Sequence, residues 1–197
     1  PDMNPKLQLA LDKARSVNMP KDNVERAIQK GTGDSSGETE LFECVYEGYG
    51  PHGIAIVAET ATDNPTRTVG NLRSYFTHAG GALGTTGSLD FMFERKGVFQ
   101  FPAANLNLDD LELELIDYGA EEFVAEEGTV YLYTGFNDFT GMQKCLQGKG
   151  INVSVAQVQR IPTSMNALPE AKAKEVQDLI DRLEEDEDVQ AVWHTMK

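Results

Sequence analysis

Few side chains in this sequence have the types and spacing that catalysis needs. His52, His78 and His194 share no metal-ligand spacing, and no serine or cysteine lies in a nucleophile-elbow pattern. The acidic run EEDED at residues 184–188 could attract a cation, but its place between a predicted helix and a predicted strand is typical of a solvated loop. We therefore expect no catalytic residues, no metal site and no cofactor, and we predict that the protein is not an enzyme.

Two glycine-rich stretches favour binding over catalysis. Residues 46–68 read YEGYGPHGIAIVAETATDNPTRT, and residues 80–97 read GGALGTTGSLDFMFERKG. The second stretch lacks the Gly-Lys-Ser/Thr ending of a phosphate loop and lies between a helix and a strand, the reverse of the phosphate-loop order. In the first stretch, Tyr46, Tyr49 and His52 could offer stacking faces to bases, or the glycines could build a tight connection between strands.

The net charge is unevenly distributed along the chain. The 197 residues carry a formal charge of −15, which by itself opposes binding to a polyanion. Residues 1–33 nevertheless hold six basic and four acidic side chains, so their charge is +2 and the charge of the remainder is −17. Any basic surface is therefore expected at the N-terminal end.

Cysteine usage and hydropathy exclude two further classes of protein. Cys44 and Cys145 form no CxxC motif, which argues against a zinc ribbon or a disulfide scaffold and favours reduced, buried thiols. No apolar run approaches the roughly 18 residues of a membrane span, so we expect no membrane partner. Because the chain begins with Pro1 inside a helical pattern, we expect that further residues precede it.

A phosphate-binding surface requires local positive potential rather than a positive net charge. The candidate nucleic-acid-binding residues are the basic side chains of the N-terminal helices and of four later positions. They are Lys6, Lys13, Arg15, Lys21, Arg26, Lys30, Arg67, Arg73, Arg95 and Lys96. The alternative is that these charges are scattered and serve only solubility.

Helical periodicity dominates the N-terminal part of the chain. Between residues 4 and 17, apolar residues recur every three or four positions. Pro20 suits the first turn of a second helix, which Gly31 is placed to end. Residues 30–40, KGTGDSSGETE, contain no apolar residue and are predicted to form a linker.

Beyond the linker the pattern changes to strands that alternate with helices. Asn64 and Pro65 predict a helix N-terminus, and the helix is expected to extend to about residue 79. The predicted strands lie at residues 41–47, 53–60, 88–93 and 98–101. The apolar run in the second of these strands is typical of a central strand covered on both faces, and residues 94–97 are predicted to form a turn.

The pattern predicts an α/β (α+β) fold in which one domain is inserted in another. Residues 97–161, whose last strand is predicted at 151–158, have the βαββαβ order of a ferredoxin-like unit. The flanking segments, with a helix at 169–183 and a strand at 189–194, resemble a second ferredoxin-like sheet to which the strand at 41–47 is added. The predicted domains are residues 1–33, the remainder of a helical domain; 38–96 with 162–197; and 97–161.

Three stretches taken together resemble the YebC/PmpR family, whose mitochondrial members are called translational activators of cytochrome oxidase. They are NPKLQLALDKARSVNMPKDNVERAIQKGTG, YEGYGPHGIAIVAETATDNPTRT and GGALGTTGSLDFMFERKG, and the resemblance extends over nearly the whole chain. It implies a helical N-terminal domain followed by two α/β domains. It also implies a Lys/Arg-rich start that this sequence lacks, so the chain is expected to be N-terminally truncated.

The resemblance also implies a function. Family members are described as DNA-binding transcriptional regulators, and others as ribosome-associated factors that aid elongation through proline-rich stretches. By resemblance, the protein is cytoplasmic, or mitochondrial in a eukaryote, and contacts DNA or ribosomal RNA through its basic N-terminal helices. We expect a monomer with no small-molecule substrate. The loops expected to border the inter-domain cleft contain Tyr46, Tyr49, Gly50, Pro51, Asp63 and Asn64.

A small-molecule sensor or protein-binding adaptor is the rival hypothesis from a different functional class. The acidity of the chain and the glycine loops near the presumed cleft motivate it. Such a protein would use the cleft between the two ferredoxin-like domains as its binding site.

Overall fold

The computed structural model describes residues 18–32, 41–104 and 106–197, together with residues 7, 10, 11, 14 and 15, which are helical. Helix α1 spans Lys21–Thr32. Gly31 therefore lies inside the helix, one residue before its end, and the predicted linker begins later than residue 30. Residues 33–40 of that linker lie outside the described residues.

The rest of the chain forms two antiparallel four-stranded sheets. In chain order the elements after α1 are β1 (Phe42–Tyr49), β2 (Ala55–Thr62), α2 (Pro65–His78), β3 (Ala82–Leu83), β4 (Phe93–Pro102), α3 (Leu108–Ile116), β5 (Ala120–Glu126), β6 (Thr129–Gly135), α4 (Phe139–Gly148), β7 (Val155–Pro162), α5 (Glu170–Glu184) and β8 (Val189–His194). The first sheet has the strand order β3-β1-β2-β8, and the second has the order β5-β6-β4-β7.

Both sheets have the ferredoxin-like strand order. In the second sheet, the elements β4, α3, β5, β6, α4 and β7 follow one another directly along the chain. In the first sheet, β2, α2 and β3 correspond to the first three elements of the ferredoxin-like order, and α5 and β8 correspond to the last two. β1 occupies the position of the third strand, although it precedes the other elements along the chain. The predicted α/β fold with one unit inserted in the other is confirmed, whereas the domain boundaries stay predictions.

The first sheet is covered on both faces. Helices α2 and α5 pack on one face, where the buried core consists of Ile54, Ile56, Leu72, Phe76, Val176, Leu179, Ile180 and Leu183. On the other face, Leu89 and Phe93 pack against Ala55 and Val57 of β2. The prediction of a central, doubly covered strand is therefore confirmed, and the Asn64 side chain caps α2 by accepting a hydrogen bond from the Arg67 backbone N–H.

The second sheet has a core of its own on the side of α3 and α4. The buried members are Phe99, Phe101, Leu111, Leu115, Val130, Leu132, Met142 and Leu146. The helix residues among them recur at four-residue spacing, as expected for an apolar face turned toward a sheet. The strand residues alternate along β4 and β6, so one face of this sheet is buried under the helices.

One strand prediction and one turn prediction are wrong. Residues 88–92 form no strand, since Asp90–Met92 is a 3₁₀ turn. Leu89 is buried because it covers the first sheet, whereas Phe91 is 75% exposed. The predicted turn at 94–97 is part of the continuous strand β4. Gly97 pairs with Thr134 of β6 and Val158 of β7. Glycine suits this strand position because a Cβ there would lie 2.8 Å from the Phe139 ring.

The last strand of the inserted unit begins later than predicted. β7 begins at Val155 instead of residue 151. Ile151 and Val153 pack against the second core from a loop, so their apolar character does not mark strand pairing.

The two sheets are joined where the chain passes between them. Phe93 at the start of β4 pairs with Pro162 at the end of β7, so the inserted unit begins and ends at neighbouring positions. Arg160 of β7 reaches the first sheet, with its Nε donating to Glu59 Oε1 at 2.8 Å. Because the Arg160 side chain is only 12% exposed, this ion pair is shielded from solvent and helps to fix the two sheets relative to each other.

The fold bears on two expectations, one about the cysteines and one about membrane-spanning helices. Cys44 and Cys145 are free, as expected, and each is half-buried rather than buried. In the described part of the chain, no helix is long and apolar enough to cross a bilayer.

Candidate nucleic-acid interface and the adjoining cleft

Helix α1 presents basic side chains to solvent. Lys21 Nζ lies 3.4 Å from Glu25 Oε1, and an exposed ion pair of this kind is weak and screened by salt. Arg26 Nη2 donates to Asn23 Oδ1 at 2.8 Å. Among the described residues, no carboxylate pairs with the Arg26 guanidinium, so its charge is available to an anionic partner.

The other predicted basic residues of the N-terminal part are less completely described. Arg15 is an exposed helical residue and Lys30 lies in α1. Lys6 and Lys13 lie outside the described residues.

A cleft of about 730 Å³ lies between α1 and the first sheet. Ala27 and Gly31 of α1 form one wall, and Arg67, Asn71 and Tyr75 of α2 form another. The remaining lining residues are Leu41, Ala61, Asp63, Asp186, Glu187, Asp188 and Gln190. Four of these are carboxylates, so the cleft is acidic apart from Arg67.

Arg67 is held by two carboxylates inside this cleft. Its Nη2 donates to Asp188 Oδ2 at 2.9 Å and to Asp63 Oδ1 at 2.8 Å. These hydrogen bonds raise the pKa of the Arg67 guanidinium above its ordinary value. The positive charge of Arg67 is therefore balanced within the molecule.

Asp188 is the centre of this network. Its side chain is only 13% exposed, and Thr68 Oγ1 donates to its Oδ2 at 2.7 Å. Burial alone would raise the pKa of Asp188, but the hydrogen bonds from Thr68 and Arg67 hold this pKa below its ordinary value. Asp188 therefore stays ionised and ties the loop between α5 and β8 to α2.

Asp186 makes a second connection between the same two elements. Its Oδ2 accepts hydrogen bonds from the Tyr75 hydroxyl at 3.0 Å and from Asn71 Nδ2 at 3.3 Å. Burial and the hydrogen bond to Asp186 raise the pKa of Tyr75. The polar residues on this side of α2 are thus occupied by contacts within the protein.

Arg73 lies on a different side of α2. It follows Asn71 by two positions, which places it about 160° around the helix from the cleft wall at 100° per residue. Arg73 is exposed, and its guanidinium has no carboxylate partner among the residues that the structure describes. It resembles Arg26 in this respect and differs from Arg67.

Arg95 and Lys96 lie on β4 in the second sheet. The Arg95 guanidinium lies over the ring of Phe136, 4.1 Å from its centroid. Lys96 Nζ lies 3.2 Å from Glu121 Oε2 and 3.4 Å from Glu94 Oε2, so two carboxylates offset its charge. The described candidates therefore lie on the helical segment that contains Arg15, on α1, on two sides of α2 and on the second sheet.

The glycine-rich loop after β3 binds an anion of the protein itself. Glu47 of β1 is 2% exposed, and its carboxylate accepts backbone hydrogen bonds from Gly87 N–H at 2.9 Å and Leu89 N–H at 2.7 Å. The amides that could cradle a phosphate in such a loop are therefore used to fix the loop over the first sheet.

These elements are those of a known family. The model of the TACO1/YebC second and third domain matches residues 41–196, and the model of the TACO1/YebC protein N-terminal domain matches residues 1–34. The chain belongs to the TACO1/YebC family. The resemblance inferred from the glycine-rich and helical motifs is thereby confirmed.

Individual members of the TACO1/YebC family are similar over the whole of this chain. The chain is 49% identical to a probable transcriptional regulatory protein of Cytophaga hutchinsonii, covering 99% of this chain and 81% of the relative. It is 45% identical to a probable transcriptional regulatory protein of Myxococcus xanthus, covering 100% of this chain and 83% of the relative. The crystal structure of a conserved hypothetical protein from Aquifex aeolicus superposes with a TM-score of 0.80 at 36% identity, covering 100% of this chain and 81% of that protein.

The first glycine-rich motif of this family member forms a tight strand connection. A Cβ at Gly48 would lie 2.6 Å from the Ala82 carbonyl oxygen, and a Cβ at Gly81 would lie 2.4 Å from the Tyr49 carbonyl oxygen. Pairing of β1 with β3 therefore requires glycine at both positions. Tyr46 packs against the first core, and its hydroxyl donates to the Pro65 carbonyl at 3.4 Å, so it does not offer a free stacking face.

Of the six residues expected at the cleft, Asp63 lines the cleft beside α1. Asn64 caps α2 instead. Gly50 and Pro51 are buried in the turn that packs against α5, and Tyr49 is exposed beside Met92. His52 in that turn has a left-handed backbone (φ 60°), and its Nε2 lies 2.9 Å from Glu175 Oε2 of α5.

Sequence reasoning missed the residues that hold Arg67. The acidic run at 184–188 was expected to be a solvated loop, whereas Asp186 and Asp188 bind side chains of α2. No local signal in the sequence reveals this pairing, because Arg67 and Asp188 lie 121 positions apart. Among the described residues, no group of three His, Cys, Asp or Glu side chains is arranged to hold a metal ion.

Proposed function

We propose that this chain is a non-enzymatic, nucleic-acid-binding regulator of gene expression. The observation that carries the proposal is the distribution of charge, with +2 on residues 1–33 and −17 on residues 34–197. A polyanion is attracted by local positive potential and repelled by an acidic surface. The N-terminal helices are therefore the part of the chain that suits a nucleic acid. The names of the relatives, probable transcriptional regulatory proteins, agree with this role.

The contacts in this proposal are made to phosphates. Lys21 and Arg26 project from α1 into solvent, and Arg73 does so from α2. Lys and Arg side chains neutralise phosphates and release bound counterions, so the affinity falls steeply as salt increases. Carboxylates already offset the charges of Arg67 and Lys96. Of the later candidates, Arg73 and Arg95 therefore contribute more to phosphate binding.

DNA is the partner that we propose first, in the role of a transcriptional regulator. In this proposal the protein acts as a monomer in the bacterial cytoplasm, or in the mitochondrion of a eukaryote. It needs no cofactor and no small-molecule substrate. The acidic cleft beside α1 supports the assignment of binding to exposed basic side chains, because its carboxylates would repel phosphates.

A ribosome-associated translation factor is the second candidate. The observation that favours it is the kind of contact available: exposed Lys21 and Arg26 on α1 suit phosphates, which ribosomal RNA and DNA share. This factor would aid elongation through proline-rich stretches, as the resemblance to ribosome-associated members of the family implies.

Binding across a salt series tests the proposal and separates the two candidates. Full-length protein is mixed with duplex DNA or with purified ribosomes, and retention and co-sedimentation are measured at increasing salt. We expect DNA retention that falls linearly on a log–log plot of affinity against salt. Ribosome pelleting without DNA retention would favour the translation factor, and failure to bind either partner would contradict both candidates.

A further inference from the structure

The second sheet leaves one face uncovered by its helices. Along β6, Val130, Leu132 and Thr134 are buried on the side of α3 and α4. Tyr131 and Tyr133 alternate with these residues and therefore point to the opposite face. Both tyrosines are half-buried, and the structure gives neither hydroxyl a hydrogen-bond partner among the described residues.

The strand register defines the neighbours of the two tyrosines. Tyr131 lies opposite Gln100 of β4 and Val124 of β5, and Tyr133 lies opposite Val98 and Glu122. We call the surface formed by Tyr131, Tyr133 and these cross-strand neighbours the tyrosine face. Val98 is only 2% exposed, so an apolar side chain lies beneath the polar and aromatic side chains of this face.

The tyrosine face and its surroundings are acidic. Glu122 and Glu126 lie along β5 on the same face as Val124, and Lys96 of β4 is already paired with Glu94 and Glu121. Residues 93–162 as a whole carry eleven carboxylates and five basic side chains. A cationic partner is attracted to such a surface, and a polyanion is repelled.

We propose that the tyrosine face binds an arginine-rich segment of a protein partner. Arginine fits better than lysine, because a guanidinium stacks on aromatic rings and pairs with carboxylates through two parallel hydrogen bonds. In the complex, guanidinium groups stack on Tyr131 and Tyr133 and pair with Glu122 and Glu126. The same chemistry occurs inside this molecule, where Arg182 lies 5.1 Å from the centroid of the Tyr75 ring.

The dimensions of the face suit an extended segment rather than a folded domain. Four strands spaced about 4.8 Å apart are about 15 Å wide, which an extended chain of four or five residues spans at about 3.3 Å per residue. An interface of this size is smaller than that of a stable complex between folded proteins. The inference is independent of the nucleic-acid proposal, which concerns α1 and α2.

Fluorescence anisotropy with a labelled ten-residue Arg-Gly repeat peptide and the full-length protein tests the inference. We expect the double variant Tyr131→Ala/Tyr133→Ala to weaken peptide binding about tenfold, through the loss of two cation–π contacts. Tyr131→Phe/Tyr133→Phe keeps both rings and is expected to bind within about twofold of the wild type. Tyr118→Ala, which removes an exposed tyrosine after α3, is the matched control and should not change the affinity.

Charge variants separate a specific site from attraction by net charge. Glu122→Gln/Glu126→Gln should weaken peptide binding several-fold, whereas Asp109→Asn/Glu112→Gln on α3 removes the same charge and should change it little. Equal losses for the two pairs, or wild-type affinity in the alanine double variant, would overturn the proposal. Tyrosine-dependent binding of an eight-nucleotide single-stranded RNA, without peptide binding, would overturn it in favour of a nucleic-acid face. The glutamine and phenylalanine variants keep the test decisive should the alanine variant fail to fold.

Discussion

The two sheets have the same strand order but differ in how their second faces are covered. Leu89 and Phe93 cover the first sheet on the side opposite its helices, whereas Tyr131 and Tyr133 lie on an uncovered face of the second sheet. The first sheet adjoins α1 and its exposed basic residues, and the second is flanked by carboxylates. In our two proposals, α1 beside the first sheet binds an anionic partner, and the uncovered face of the second sheet binds a cationic one.

The largest expected effect concerns the cover of the first sheet. Leu89→Ala should lower the free energy of unfolding by about 3 kcal/mol, because it removes a fully buried side chain and leaves a cavity. Val124→Ala on the uncovered face of the second sheet should cost less than about 0.5 kcal/mol, since Val124 is 40% exposed. Urea denaturation measures both, and similar losses would show that the two faces do not differ as described.

The next largest effect is expected at Glu47, whose carboxylate holds the loop that covers the first sheet. Glu47→Ala should lower the free energy of unfolding by about 2 kcal/mol, because the buried N–H groups of Gly87 and Leu89 lose their acceptor. Glu43→Ala, an exposed position on the same strand, is the control and should have almost no effect. Equal thermal stabilities of the two variants would contradict the anchoring role.

A smaller effect is expected at the cleft of the first sheet. Asp188→Asn should lower the free energy of unfolding by about 1 kcal/mol at neutral pH, because the hydrogen bonds from Thr68 and Arg67 then reach a neutral acceptor. Folding lowers the pKa of Asp188 from its ordinary value of 3.8. Its contribution to the free energy of unfolding is therefore complete at pH values above 3.8 and disappears as the pH falls through the native pKa.

The pH dependence of unfolding provides the check on Asp188. The difference between the wild type and Asp188→Asn should shrink as the pH is lowered below 3.8. Glu187→Gln, the exposed neighbour in the same loop, should follow the wild-type curve throughout. If the difference in unfolding free energy stayed constant below pH 3.8, the ionised carboxylate would not be the stabilising species.

The sequence predicts elements well where burial follows a local period. The face of α5 formed by Val176, Leu179, Ile180 and Leu183 repeats at helical spacing and is buried as expected. Leu89 is also buried, but it lies over the face of a sheet from a loop, so no local period distinguishes its segment from a strand. The pairing of Arg67 with Asp188 joins residues 121 positions apart, and no local pattern specifies it.

The smallest single-residue effect distinguishes the two arginines of α2. Arg73→Ala should weaken binding to duplex DNA a few-fold and reduce the salt slope by about one, as expected for one lost phosphate contact. Arg67→Ala should change the slope less, because Asp63 and Asp188 already offset its charge. Equal slope changes would mean that the network of Asp63 and Asp188 opens when DNA binds.

The salt dependence of DNA binding by two matched double variants tests the central claim most directly. Lys21→Ala/Arg26→Ala removes two positive charges from α1, and Lys144→Ala/Lys149→Ala removes two from α4 and the end of that helix. The proposed interface predicts that the first pair reduces the slope of log affinity against log salt by about two, while the second leaves it unchanged. Equal slopes for the two variants, or an unchanged slope for the α1 variant alone, would contradict a nucleic-acid interface on the N-terminal helices.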